Sequence, residues 1–189
     1  MSGLADEYAA GRLATVMRLA RAHLRRHPDN GAAKLYLGMA LRDSSRYEEA
    51  EALLLPLLED KHLGRQDSVR LQLALLEERR GNPIAAVAYL QQCIDFNPED
   101  AGPRVLLGAV HARAGNLAAA EQAQREAVLC SEGPVDEAWL NLALVLRALE
   151  RSEEAEFCVR KALELDQDEP LAQELLADLR ASVHRDDPA

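Results

Sequence analysis

Small residues recur along this chain at an almost constant step. Gly38, Ala74, Gly108 and Ala143 are separated by 36, 34 and 35 residues. Ala50, Ala86, Ala120 and Ala155 repeat the step twelve residues later, and Leu24, Leu58, Ile94, Val128 and Leu163 form an apolar ladder eight residues further on. A unit of about thirty-four residues cannot bury its own apolar face, so it must stack on its neighbours. The period therefore constrains the architecture before any local reading.

Inside each unit the apolar residues fall at i, i+3, i+4 and i+7, as in Trp139, Leu142, Leu146 and then Ala155, Val159, Ala162, Leu163. That spacing predicts two amphipathic helices per unit. The polar hinges between them are Gly81-Asn82-Pro83, Ala114-Gly115-Asn116 and Glu150-Arg151-Ser152, where Asn or Ser is expected to cap the incoming N–H groups. Pro83 suits a first helical turn, where a missing N–H does no harm. The small-residue ladders mark where paired helices cross at close range.

The run from Trp139 to Leu146, followed by Ser152-Glu153-Glu154-Ala155 and by Arg160 to Asp166, resembles a tetratricopeptide repeat nearly residue for residue. Leu37-Gly38 with Leu41, Tyr47-Glu48-Glu49-Ala50 and Leu54 repeat the pattern, as do Leu73-Ala74, Ala86, Leu90 and Pro98, and Leu107-Gly108, Ala120 and Ala127. The resemblance implies an all-α, right-handed superhelical solenoid of tandem helix-turn-helix repeats with a C-terminal capping helix, eleven helices in all. A single array is expected over 1–183, with a degenerate unit at about 1–30 and further units at 31–64, 67–100, 101–135 and 136–169. The cap would occupy 170–183, with Leu171, Leu175, Leu176 and Leu179 on one face, ahead of a tail at 184–189. The first unit's shortened opening helix is expected to leave Leu13, Val16, Met17 and Leu24 less covered than in an internal unit. Pro56 falls inside a second helix and should break or bend it. Two extra residues, Arg65 and Gln66, and His62 in place of the closing proline make that joint the place for an altered angle or a mobile loop.

Chemistry is sparse. The formal net charge of −10 opposes nucleic acid or an anionic membrane as the main partner, although Arg12, Arg18, Arg21, Arg25 and Arg26 form a stretch without acids, read as a solvated helix face or a docking surface. The 48% hydrophobic content suffices for a continuous core, and 4% aromatic content points to one built from Leu and Ala. Asp6, Glu7 and Arg12 interrupt any secretory h-region, and no apolar run reaches membrane-spanning length, so a cytoplasmic protein is expected. Cys93, Cys130 and Cys158 make no C-x-x-C pair, and Cys93 reads as a buried structural thiol. Of His23, His27, His62, His111 and His184, only the first two share a helical spacing, with no third ligand beside them. Phosphate-binding glycine loops and nucleophile elbows are lacking. The expectation is no enzyme, no metal and no cofactor.

Function must then lie on a surface. The resemblance implies a concave groove lined by the first helix of each unit. Transferred by position, its residues are Leu35, Met39 and Arg42; Leu71, Gln72, Leu75 and Arg79; Val105, Ala109 and Arg113; and Leu140, Asn141, Leu144 and Arg147. The Lys/Asn clamp with which some members of that family grip an acidic C-terminus is replaced by Leu35, Met39, Leu71 and Leu75. The expected partner is another protein or peptide with an apolar face, its acidic flanks meeting the recurrent arginines. An adaptor, scaffold or chaperone-like role follows. The alternative is a self-assembling subunit, a homo-oligomer through the groove or the N-terminal unit.

Overall fold

The computed structural model of the protein describes residues 2–60 and 62–183; the tail at 184–189, with His184, lies outside them. Among the described residues eleven α-helices form five hairpins and a last single helix: α1 Ser2–Ala9 with α2 Leu13–Leu24, α3 Gly31–Asp43 with α4 Tyr47–Leu54, α5 Gln66–Arg80 with α6 Pro83–Phe96, α7 Ala101–Arg113 with α8 Leu117–Ala127, α9 Val135–Ala148 with α10 Ser152–Leu165, then α11 Pro170–Val183. The described residues contain no strand, only an isolated bridge between Asp100 and Glu132, and no helix long and apolar enough to cross a membrane.

The ladders read from the sequence are where the helices meet. Ala50, Ala86, Ala120, Ala143 and Ala155 are fully buried, and Ala74 nearly so. The two glycines of the first ladder face larger neighbours. A Cβ at Gly38 would lie 2.7 Å from Leu54 Cδ2, and one at Gly108 would overlap Gln124 Nε2. Glycine there is a packing requirement.

Every hairpin turns in the same way. Gly11, Ser45, Gly81, Gly115 and Glu150 all adopt positive φ, between 59° and 84°. After each, the next N–H reaches back across the end of the first helix: Arg12 to Glu7 O at 3.0 Å, Arg46 to Leu41 O at 2.9 Å, Asn82 to Glu77 O at 2.8 Å, Asn116 to His111 O at 2.9 Å and Arg151 to Leu146 O at 3.0 Å. This double closure of the last carbonyls is the left-handed helix stop. The expected side-chain caps are mostly absent. Asn82 Oδ1 does accept from Ala85 N at 3.3 Å, but Asn116 makes no such bond. Ser152 lies inside α10, with Arg151 in the cap position. Arg46 and Arg151 instead clamp Glu49 and Glu154 in the first turn of the helix they open.

Contacts divide the chain into two compact units, Met1–Cys93 and Ile94–Ala189, with the boundary inside α6. In the first, α1, α3 and α5 form one layer, with α2 packed on α1 and α3, and α4 on α3 and α5. Val16 and Ala20 of α2 are fully buried, so the short opening helix covers more than its length promises; Leu13, Met17 and Leu24 remain half-buried. Pro56 ends α4 at Leu54 and starts a 3₁₀ segment, Leu55–Leu58. Leu54 and Leu57 stay buried through the change of winding, as the three-residue repeat of that helix allows. Asp60 stitches the following loop, accepting His62 N at 2.9 Å on its carboxylate and Gln66 Nε2 at 2.6 Å on its carbonyl.

In the second unit α7 and α9 form the first-helix layer, α8 packs on both, and α10 lies between α9 and α11. The capping face of α11 is Ala172, Leu175 and Leu179, all buried, with Leu176 at its edge. Leu171, expected on that face, is 45% exposed because the helix begins at Pro170 and turns it outward.

Candidate functional site

The first helices of the two units hold the fourteen residues picked from the sequence, seven on α3 and α5 and seven on α7 and α9, but burial sorts them into different roles. Leu35, Val105 and Leu140, at equivalent repeat positions, are buried and belong to the packing between helices. Met39, Leu71, Gln72, Leu75, Ala109, Asn141 and Leu144 are half-buried, and Arg79, Arg113 and Arg147 are exposed. On α5, Leu71, Leu75 and Arg79 follow one another at i, i+4 and i+8. On α9, Leu140, Leu144 and Arg147 do so at i, i+4 and i+7. Each stripe is thus apolar along its length and ends in an arginine at the helix C-terminus, where the macrodipole favours a cation.

Arg42 departs from the set. Only 5% exposed, it is bonded to Asp43 through Nη2 at 2.9 Å and Nε at 3.0 Å. It also donates to the Tyr8 hydroxyl at 3.1 Å and to Gln72 Oε1. Tyr8 in turn donates to Asp43 Oδ2 at 2.5 Å, and Arg79 approaches the same carboxylate at 3.9 Å. Burial and this bond push the Tyr8 phenol up to about 12. The cluster ties α1, α3 and α5 together and consumes the guanidinium that the repeat position alone assigned to a ligand. Tyr8 and Asp43 were absent from the sequence-derived site; Asp43 adjoins Arg42, but Tyr8 lies thirty-four residues away and only the fold brings it there.

The opposite end of the α9 stripe is acidic. Leu140 and Asn141 line a recess of about 320 Å³ together with Asp136, Glu137, Asp166 and Glu169, and no basic side chain among the described residues pairs with these four carboxylates. The face therefore runs from negative at the start of α9 to positive at Arg147. Among the described residues no three His, Cys, Asp or Glu side chains gather as a metal site. His23 and His27 stack with centroids 4.8 Å apart at the end of α2. Cys93 and Cys158 are buried thiols outside any disulfide, the latter pushed up to about 11 by burial; Cys130 is partly exposed.

A tetratricopeptide repeat model matches residues 6–61 and 71–137, and a second model of the same repeat matches 136–169. No curated protein sequence is significantly similar to the chain. Its fold is similar to that of a thermophilic tetratricopeptide repeat protein of Thermus thermophilus, at 20% identity over 96% of this chain and 97% of that one, with a TM-score of 0.74. It is also similar to YrrB, described as having an unusual peptide-binding site, at 19% identity over 90% of this chain and 87% of that one, TM-score 0.62. A third similar structure is the first repeat domain of Spaghetti (RPAP3) bound to the HSP90 peptide SRMEEVD, at 19% identity over 62% of this chain and 95% of that one, TM-score 0.58.

Proposed function

Because the chain belongs to the tetratricopeptide repeat family, whose members are in general protein-interaction modules without enzymatic activity, we propose that it is an adaptor or chaperone-like protein of the cytoplasm that receives partner segments on the first-helix layer of each unit. The observation that carries this reading is the stripe each unit bears on its own first helices, Leu71-Leu75-Arg79 in the first and Leu144-Arg147 in the second, with half-buried apolar side chains that end in an exposed arginine. Leucines spaced by one helical turn suit an amphipathic helix or a short apolar peptide. Arginine forks suit carboxylates at its flank. YrrB and the Spaghetti domain, similar in fold, are described with peptide sites, which supports a peptide as ligand; the replacement of the Lys/Asn clamp by Leu35, Met39, Leu71 and Leu75 argues against a copy of the acidic-tail mode. Asp136 and Glu137 at the start of α9 add a preference for a basic residue at the other end of the bound segment in the second unit.

The test is selection of a displayed random-peptide library on the immobilised protein. Enriched peptides should carry two or more leucine-like residues at helical spacing with Asp or Glu on one side. Leu75→Glu combined with Arg79→Glu should weaken them at least tenfold, about 1.4 kcal/mol, with the helical spectrum unchanged. Failure to enrich, or equal binding by the double variant, would remove the proposal. Self-assembly through the N-terminal unit has weaker support, since Val16 and Ala20 are already fully buried within one chain; light scattering at increasing concentration separates the two readings.

A further inference from the structure

Residues 94–189 carry a second surface, distinct from the α9 stripe. Between the end of α8 and the start of α10 opens a recess of about 570 Å³, with Trp139, Leu142 and Leu146 of α9 as its floor and Leu129 and Phe157 at its mouth. The cause is local. The helix α8 stops after 11 residues, where α6 and α10 run for 14, so the last turn that would cover α9 is missing and the chain leaves it open at Val128 to Ser131. Leu129 is 83% exposed and Phe157 55%, and Phe157 stands edge-on to Trp139 with centroids 6.0 Å apart. Single exposed apolar residues need no explanation, but a leucine and a phenylalanine flanking an apolar cavity of ligand size form a contiguous patch of the kind that marks a binding surface.

Charge selects the occupant. Three charged side chains reach the lining. Arg125 and Glu154 are bonded to each other at 3.1 Å and held further by Glu121 and Arg151, so they present little net field. Glu153, exposed in the first turn of α10, has no basic partner among the described residues. Residues 94–189 as a whole carry 20 of the 32 acidic residues and 9 of the 22 basic ones, and Lys161, 5.9 Å from the Phe157 ring centroid, is bonded to Glu164 at 2.6 Å. We propose that this recess docks a basic amphipathic helix of a partner, drawn by the net negative charge of residues 94–189, with leucine-like side chains entering between Leu129 and Phe157 and a lysine or arginine facing Glu153. An acidic helix meets like charge there, so this site and the arginine-ended stripes of the first-helix layer take partners of opposite flank.

Trp139 is the single tryptophan of the chain, and its emission reports the recess directly. The probes are two synthetic peptides of about four helical turns, both with leucines at i, i+3, i+4 and i+7, one filled out with lysine and the other with glutamate. The lysine peptide should shift Trp139 emission to the blue and the glutamate peptide should not. Leu129→Asp decides between docking and diffuse attraction. It adds a negative charge, so an unspecific electrostatic association strengthens, whereas docking in the recess weakens at least tenfold; Leu129 is exposed enough that folding is not at stake, which circular dichroism verifies. Retained or tighter binding by Leu129→Asp overturns the proposal, as does equal binding of both peptides. A response to an anionic naphthalene dye but not to the lysine peptide would give the recess to small apolar molecules instead. Concentration-dependent self-association that already shields Trp139 would give it to a second copy. Either result sinks the basic-helix assignment.

Discussion

Two polar side chains, Gln124 buried and Tyr8 half-buried, show how single residues set the behaviour of the repeat. Gln124 fills the space beside Gly108, and its Nε2 donates to Val105 O at 3.0 Å, but its Oε1 is buried without a partner. The lost hydration of that oxygen offsets the bond the amide makes, and the Val105 carbonyl also serves the helix ladder. Gln124→Met, similar in shape and free of the orphan acceptor, should therefore raise stability by up to about 1 kcal/mol in urea denaturation; a comparable loss would mean that the amide bond is the stronger term. Tyr8 has a pH signature instead. Its phenol titrates near 10 in the unfolded chain and about 12 in the folded one. Between those values the unfolded state has released a proton that the folded state keeps, so stability falls as pH rises through this window and is unaffected by this group below it. Tyr89 is also raised by burial, so the comparison to make is with Tyr8→Phe: the variant starts less stable at neutral pH, having lost the bond to Asp43, and its denaturation midpoint should fall less steeply above pH 10. Parallel slopes would detach Tyr8 from the alkaline limb.

At the level of helices, the period was legible because side-chain volume at a crossing has to be small wherever the helices stack; the alanine ladder and the bend at Pro56 follow from that rule and from the proline ring. The hinges were legible at Gly81, Gly115 and Glu150 but not at Gly11 and Ser45; at Ser45 and Glu150 the same positive φ is imposed on side chains that disfavour it. Of the expected caps only Asn82 accepts from the first turn of its helix, Asn116 does not and Arg151 holds the cap position ahead of Ser152; the backbone closure serves the carbonyls of the first helix, not the N–H groups of the second. The binding face was legible as a set of positions, not as a set of free side chains: Arg42 looks like Arg79 in repeat register, and only Tyr8 and Asp43, gathered by the α1–α3 contact, distinguish them. The hinge carries its own prediction. A left-handed non-glycine residue is strained by roughly 1–2 kcal/mol, partly offset by the greater unfolded entropy of glycine, so Glu150→Gly should stabilise by about 0.5–1 kcal/mol and leave the helix content unchanged. A loss on substitution would show that the Glu150 side chain has a stabilising role its exposure does not reveal.

For the whole molecule, the consequence of stacking is that an end must be covered. The helix α11 covers α10 with Ala172, Leu175 and Leu179, which join Val159, Ala162 and Cys158 in one core cluster. Burial of the two leucines alone contributes about 3–6 kcal/mol. In an array whose repeats are stabilised by their neighbours, that loss is felt first in the adjoining hairpin. Trp139 lies in that hairpin, so the chain carries a local reporter beside the global one of helical ellipticity. In the parent chain, Trp139 emission and ellipticity should change together through the unfolding of residues 94–189. Ending the chain at Glu169 should move the tryptophan transition to lower denaturant and ahead of the ellipticity, because α9 and α10 fray while the hairpins before them stay folded. The exposed Val159, Ala162 and Leu163 should also make the truncated chain aggregate at concentrations the parent tolerates. A truncated protein whose two transitions coincide at the parent's midpoint would mean that α11 adds little to the stack and that α10 is itself the end of the array.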